Sequence, residues 1–473
     1  MKVLLFGFGS SPLFLKPLVE RVRKTNAEID FSIILSSAHH LELMLEVISS
    51  EKSLCLNPLL PLYKNKEPQL DGLKNYPDNI YANIESQKVT MKNRHSEEQI
   101  NLAYWSYALL KDFIKKINPD YILYTQPPEN MEGMLIGGIA NELNIPLAVP
   151  HHTRQLGQSF FSFDLQEILP SYSNPSDYER NKARVFLAKY RDGGCSPEPC
   201  LNFDSGRRDI SYDKKRKFAR LKAGFNRFYS ESRSRELGTL RISLLNNWFP
   251  LWRDFYRGSR KFFNKRLYNC NAIDGLPERF IFYPIQYSPE SSINIPSPYF
   301  IDQLRVIDAI RMSMPSDFTL VVKEHPACIS VRPRKFMESL LHKAGVVVAK
   351  YDMDSSAIIK QSNLVISVTG TAALEAFLFG RRSLVMGPVF FSEWLGGICK
   401  IDELPNRIRD TLDSQVDEPE IIDCLSQVFA VSAEFIGRSP GEGSDSMMTY
   451  ENLDLFWSTF IHHTINTNNE EKK

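Results

Sequence analysis

The sequence predicts an α/β protein of two facing, doubly wound lobes with a basic helical insertion between them. Three observations carry that prediction. Short apolar runs alternate with helix-patterned stretches over residues 1–165 and again over 276–400, the pattern of parallel strands covered by helices. The 473 residues are roughly two to three times what one hydrophobic core usually serves. Residues 207–266 hold 18 Lys/Arg against 5 Asp/Glu, a local net charge of +13 in a chain whose total is +1. That stretch therefore stands apart from both halves.

In the first half, Val3–Phe6 and Phe31–Leu35 read as strands with a helix over Leu13–Arg23 between them. Ser96, followed by Glu98 and Gln99, opens a helix that runs to Ile117. Tyr121–Tyr124 is the next strand, Met131–Leu143 a helix, and Leu147–Val149 a strand that Pro150 is expected to end. Residues 166–275 form the insertion. The second half repeats the rhythm, with strands at Phe280–Tyr283, Thr319–Val322, Val346–Val348, Leu364–Ile366 and Ser383–Met386. Helices fit between these strands at Ile301–Met312, Arg334–Lys343, Ser355–Lys360 and Gly370–Phe379. Helices near 401–412, 418–429 and 450–463 make a C-terminal region, 401–465, expected to pack back across both lobes. Residues 466–473, rich in Asn, Glu and Lys, read as a disordered tail.

Composition narrows the function classes. Hydrophobic residues at 43% and charged residues at 24% exclude a largely disordered or fibrous chain. No apolar run reaches the roughly 18 residues a membrane-spanning helix needs. The seven cysteines are scattered, and Cys195 with Cys200 lacks the second pair or histidine that a zinc site requires. A reduced, cytoplasmic protein with no bound metal is expected. The start, MKVLLFGFGSSPLF, is broken by Gly7, Gly9 and Pro12 and has no small-residue cleavage site, so it reads as a first buried strand rather than a signal peptide.

Ligands of open parallel sheets bind beyond the carboxyl ends of the strands, so the loops there are the candidates for chemistry. Gly7-Phe8-Gly9-Ser10-Ser11-Pro12 lacks the third glycine and the following acid of a dinucleotide fingerprint. It serves either as a close approach for substrate or as a tight turn. Gln126 and Glu129 lie in a proline-stiffened loop, and His151 and His152 follow the next strand. A histidine there suits a general base near neutral pH, and equally ordinary loop polarity. In the second half, Thr319–Val322 delivers Lys323, Glu324, His325 and Pro326, a rigid imidazole beside positive charge that can meet a phosphate. Leu364–Ile366 runs into Ser367-Val368-Thr369-Gly370-Thr371, where a helix begins. Its free N–H groups and positive dipole end make an anion site. Glu375, one turn on, suits ribose hydroxyls or a buried structural role. Gln286, Glu290 and Ser291 occupy the polar loop after Phe280–Tyr283.

Three segments in this order, Tyr283–Ser291, Val322–Pro326 and Thr369–Ala376, resemble bacterial capsule polysaccharide biosynthesis proteins. The resemblance implies a GT-B glycosyltransferase, with two Rossmann-like domains, the donor nucleotide on the C-terminal one and the acceptor on the other. The His-Pro pair is also similar to that of Kdo transferases and bacterial sialyltransferases. The hydroxyl-Gly-hydroxyl…Glu pattern is similar to UDP-N-acetylglucosamine 2-epimerase. No stretch of the first half matches the acidic motif of the sialyltransferases.

By this resemblance His325 meets the donor phosphate with Lys323 and Pro326 beside it. Ser367, Thr369, Gly370 and Thr371 support that phosphate, Glu375 holds the ribose, and Gln286, Glu290 and Ser291 complete the donor set. The donor is a CMP- or UDP-linked sugar bound as substrate, with no separate cofactor. The acceptor is a surface glycan or lipid-linked glycan, and His151, His152 or Glu129 is its base. The alternatives are an epimerase or hydrolase on the same scaffold, or a non-catalytic scaffold of an export complex. The basic, aromatic stretch 207–266 reads as a solvated insertion or as an anchor to the anionic inner face of a membrane. No recognition motif supports nucleic acid.

Overall fold

The computed structural model describes residues 1–9, 11–36, 38–56, 59, 80–86, 95–128, 130–171, 174–193, 250–287, 293, 295–326, 328–412, 414–437 and 445–470. Glu129, Glu290, Ser291 and residues 207–249 of the basic stretch lie outside them, as do 471–473.

Two sheets organise the chain. The first contains β1 (Lys2–Gly7), β2 (Asp30–Leu35), β3 (Ser53–Cys55), β4 (Tyr121–Tyr124), β5 (Leu147–His152) and β6 (Ser159–Ser162), in the order β3-β2-β1-β4-β5-β6. Its pairs are parallel except β5 with β6. The second contains β7 (Phe280–Pro284), β8 (Thr319–Lys323), β9 (Val346–Ala349), β10 (Leu364–Ser367) and β11 (Ser383–Val385), in the order β11-β10-β7-β8-β9 and parallel throughout. Each sheet starts at a middle strand, grows outward to one side, then returns and grows to the other. Each is thus a doubly wound, Rossmann-like lobe, and the pair makes a GT-B fold.

The helices are α1 (Ser11–Thr25), α2 (Leu41–Leu45), α3 (Ile80–Ser86), α4 (Ser96–Ile117), α5 (Met131–Leu143), α6 (Asp177–Arg191), α7 (Pro250–Asn264), α8 (Gln303–Ser313), α9 (Arg334–Leu341), α10 (Ser355–Gln361), α11 (Thr371–Leu378), α12 (Leu404–Leu412), α13 (Glu418–Val431) and α14 (Tyr450–Glu470).

Alternation along the strands explains the layering. Val3 and Leu5 of β1 pack with Phe14 and Leu18 of α1 on one face, while Leu4 and Phe6 pack with Leu110 and Ile114 of α4 on the other. In β7, Ile281 and Tyr283 join Val306 and Ile307 of α8, and Phe280 and Phe282 join Ile358 and Ile359 of α10.

The C-terminal helices divide their contacts. Leu404 and Ile408 of α12 enter the second-lobe core. Phe456, Trp457 and Phe460 of α14 return to the first lobe beside Phe14 and Phe31. Between the lobes, Phe160 of β6 and Leu187 of α6 share a core with Phe377 of α11, Phe390 and Val428 of α13. Leucines and phenylalanines therefore join the lobes along this edge.

Some elements differ from the sequence reading. β3 (Ser-Leu-Cys) and β6 (Ser-Phe-Phe-Ser) hold two apolar residues each, too few to stand out as an apolar run. β5 continues through Pro150 to His152. Its pairing to β4 covers only Leu147 and Ala148, so a residue without an N–H is tolerated beyond them. α14 runs to Glu470 where a disordered tail was expected from 466, because no glycine or proline stops it.

Candidate functional site

The strand order reverses between β1 and β4 in the first lobe and between β7 and β10 in the second, and the crevices open there. The second crevice collects most of the sequence-selected residues. β10 ends at Ser367, whose buried hydroxyl accepts the Gly370 N–H at 2.8 Å and the Gln286 Nε2–H at 2.9 Å. The turn between strand and helix is thereby tied to the loop after β7. α11 then begins at Thr371 with no side chain capping its N-terminus, which leaves first-turn N–H groups for a ligand. A Cβ on Gly370 would stand 2.6 Å from Ser367 Oγ and 2.8 Å from Gln286 Nε2. Its φ of −79° suits any residue, so the glycine is required by contact rather than by backbone angle. Gly370→Ala is expected to cost about 1–3 kcal/mol by forcing those two side chains apart, read as a lower denaturation midpoint at unchanged m-value.

The loop after β8 is held by a buried ion pair. The Arg332 guanidinium donates to the Glu324 carboxylate at 2.6 and 3.2 Å and to the Gln286 backbone carbonyl at 2.8 Å. Glu324, 1% exposed, also accepts the His325 N–H at 2.9 Å. Burial pushes the Glu324 carboxyl up, and Arg332 beside it pulls the other way. One hydrogen-bonded path thus runs from Gly370 through Ser367, Gln286, Arg332 and Glu324 to His325. The imidazole itself is exposed, with the Tyr287 ring edge-on at 5.5 Å, and Pro326 beside it is exposed too. Lys323 is buried and donates to Ser355 Oγ at 2.7 Å. Glu375 is half-buried, 3.4 Å from Thr371 Oγ1, and near the Tyr190 phenol of α6, whose pKa it helps burial to raise. Thr369 is buried, and its carbonyl accepts from the Arg154 guanidinium of the first lobe at 2.9 Å.

The two histidines of β5 separate by strand alternation. His151 points inward, 1% exposed and stacked on Phe160 at 5.8 Å. Burial pushes its pKa down to about 4, which keeps it neutral, and its ring lies beneath the surface. This geometry does not fit a base in contact with substrate. His152 is half-exposed, and its Nδ1 accepts the Arg154 backbone N–H at 2.9 Å. The neutral ring then carries its proton on Nε2 and presents a donor, not a base lone pair. Sequence reasoning gave no role to Arg332, Glu324 or Arg154. Glu324 stood within a quoted motif, but nothing in the sequence pairs it with an arginine eight residues on.

Among the described residues no group of histidine, cysteine and carboxylate side chains could hold a metal ion, and no helix is long and apolar enough to cross a membrane.

Residues 270–411 match the family model described as "Capsule polysaccharide biosynthesis protein". The match falls on the second lobe. The match begins before β7 and ends in α12, so it encloses the whole network from Gly370 to His325. No curated protein sequence matches the chain. Among solved structures, the UDP-GlcNAc 2-epimerase of Methanocaldococcus jannaschii aligns at 11% identity over 91% of this chain and 98% of its own, with a TM-score of 0.26. The KpsC beta Kdo 2,7 transferase of Thermosulfurimonas dismutans aligns at 9% identity over 91% and 92%, with a TM-score of 0.34. Anabaena Alr3699/HepE, solved with UDP-glucose, aligns at 11% identity over 91% and 95%, with a TM-score of 0.27.

Proposed function

We propose that this protein is a glycosyltransferase of capsule or related surface-polysaccharide synthesis, moving a sugar from a nucleotide-sugar donor to a glycan or lipid-linked glycan. The observation that carries this reading is the hydrogen-bonded path joining the α11 N-terminus to His325 in the second lobe, within the residues that match the capsule polysaccharide biosynthesis model. Glycosyl transfer breaks the bond between the anomeric carbon and a phosphate oxygen, so negative charge grows on the phosphate as it leaves. The free N–H groups after Gly370, the His325 imidazole and the nearby Lys323 charge oppose that growth. Fixed donors of this kind contribute roughly 3–4 kcal/mol, about 10²–10³ in rate. Thr369, Thr371 and Ser367 shape the phosphate turn, Glu375 accepts from ribose hydroxyls, and Gln286 contributes to the donor set, to which the sequence reading also assigns Glu290 and Ser291. The donor is CMP- or UDP-linked.

On the acceptor side the half-exposed His152 stands beside Arg154, and His151 supports the strand from within. Glu129 is the remaining carboxylate for acceptor deprotonation. The basic stretch 207–266 suits the anionic inner face of a membrane, where a lipid-linked acceptor resides. At its end, Phe262 and Phe263 of α7 are exposed among Arg260, Lys261, Lys265 and Arg266, and each cation near such a surface adds about 1 kcal/mol.

The test is a thermal-shift screen with CMP, UDP, GDP and dTDP, followed by calorimetry on His325→Ala. Ligand at 100 times Kd stabilises by about 2.7 kcal/mol. One pyrimidine nucleotide is expected to raise the melting temperature, and His325→Ala is expected to weaken it at least 10-fold. Undiminished affinity in the variant would remove the enzyme reading. Epimerised sugar formed without any acceptor would replace transfer by epimerisation.

A further inference from the structure

We propose that Arg154 is the positioning residue that registers the two lobes for reaction, holding the donor turn by its side chain and the acceptor-side His152 by its backbone. This rests on the transferase reading above. Arg154 follows β5 in the first lobe. Its guanidinium donates to the Thr369 carbonyl at 2.9 Å and to the Glu167 carboxylate at 2.8 Å, and it lies over the Phe391 ring with its carbon 5.2 Å from the centroid. The side chain is 13% exposed. Its own N–H donates to His152 Nδ1. One residue therefore touches the phosphate turn of one lobe and the exposed histidine of the other.

Its backbone supports a specific role. Arg154 has φ +59°, a left-handed conformation that is disfavoured for a residue with a Cβ. Such a conformation persists only where the surroundings over-determine it. Here that conformation lets the N–H reach back to His152 while the side chain crosses to Thr369. A simple staple between lobes would not need both directions at once, since Phe160 and Phe390 already supply apolar contact at 5.9 Å. The contact falls on the carbonyl of Thr369, immediately before the Gly370 N–H that Ser367 fixes, so a shift of Arg154 moves the turn without removing any group proposed to touch the donor.

Two variants test this. Arg154→Gly removes the guanidinium, keeps the N–H to His152 and relieves the left-handed strain. Arg154→Lys keeps the charge but loses the fork that serves Thr369 and Glu167 together. With the nucleotide found above, both are expected to bind within about threefold of wild type while kcat falls at least 10-fold. Amide hydrogen exchange over residues 367–371 is expected to speed up at least 10-fold in Arg154→Gly, with melting temperature little changed. Wild-type kcat in both variants would overturn the proposal, as would a fall in kcat matched by equal losses of affinity and melting temperature. Unchanged exchange at 367–371 would overturn it whatever the activity. A wild-type protein that binds no nucleotide would sink the transferase reading, while the exchange result would still decide whether Arg154 orders the turn.

Discussion

Arg332→Ala is expected to destabilise the protein by about 3–5 kcal/mol, because it leaves the Glu324 carboxylate charged, buried and unpaired. The carboxylate is 1% exposed and its other partner is a single backbone N–H, that of His325, which cannot replace a guanidinium bridging both oxygens. The same substitution frees the Gln286 carbonyl. The loops after β7 and β8 then lose their common anchor, and the His325 imidazole loses its fixed origin. The measurement is chemical denaturation followed by circular dichroism. Paired replacement by apolar residues, Glu324→Leu with Arg332→Met, is expected to recover much of the stability, since removing both charges also removes the cost of burying them. It is not expected to recover nucleotide binding. A loss below about 1 kcal/mol for Arg332→Ala would mean that water reaches the pair.

Acidification is expected to produce a second large loss of stability, starting near pH 6.5. His151 and His463 are both 1% exposed, and burial pushes their pKa values from 6.5 down to about 4 and about 3. His463, on α14, stacks on Phe163 with ring centroids 3.8 Å apart, clasping that helix to the first lobe. Above pH 6.5 both histidines are neutral in the folded and unfolded chain alike, and they add no pH dependence. Below it the unfolded chain takes up a proton that the folded chain refuses. Stability then falls by about 1.4 kcal/mol per pH unit for each histidine, until the folded pKa is reached. Between pH 6.5 and 5 the two together remove on the order of 4 kcal/mol. His463→Phe retains an aromatic stack and is expected to stay within about 1.5 kcal/mol of wild type at pH 7.5. It is also expected to halve the slope of stability against pH between 6.5 and 5. A full slope in that variant would assign the acid sensitivity elsewhere.

The sequence made some parts of this molecule legible and concealed others. The strands of both lobes are visible because a strand buried on both faces must be apolar along its length. β1 is so, with Val3 and Leu5 serving one core and Leu4 and Phe6 the other. One helix start is legible from local chemistry, that of α4 at Ser96, whereas α6, capped reciprocally by Ser176 and Glu179, lies unread inside the stretch that reads as an insertion. β3 (Ser-Leu-Cys) and β6 (Ser-Phe-Phe-Ser) stayed hidden because two apolar residues each make too short a run to stand out.

At the site, Lys323, His325, Ser367 and Gly370 could be chosen because each sits at or just beyond the carboxyl end of a strand, and Glu375 because it lies one turn into the helix that follows. Sequence by itself therefore determined the two doubly wound lobes and which loops follow the strands of the second lobe, since both follow from periodicity and order along the chain. Tertiary structure alone decided which groups hold those loops. The pairing of Arg332 with Glu324, the reach of Arg154 to Thr369 and the opposite fates of His151 and His152 depend on contacts across turns and lobes. No local pattern encodes such contacts, because burial and hydrogen-bond partners are properties of the packed chain.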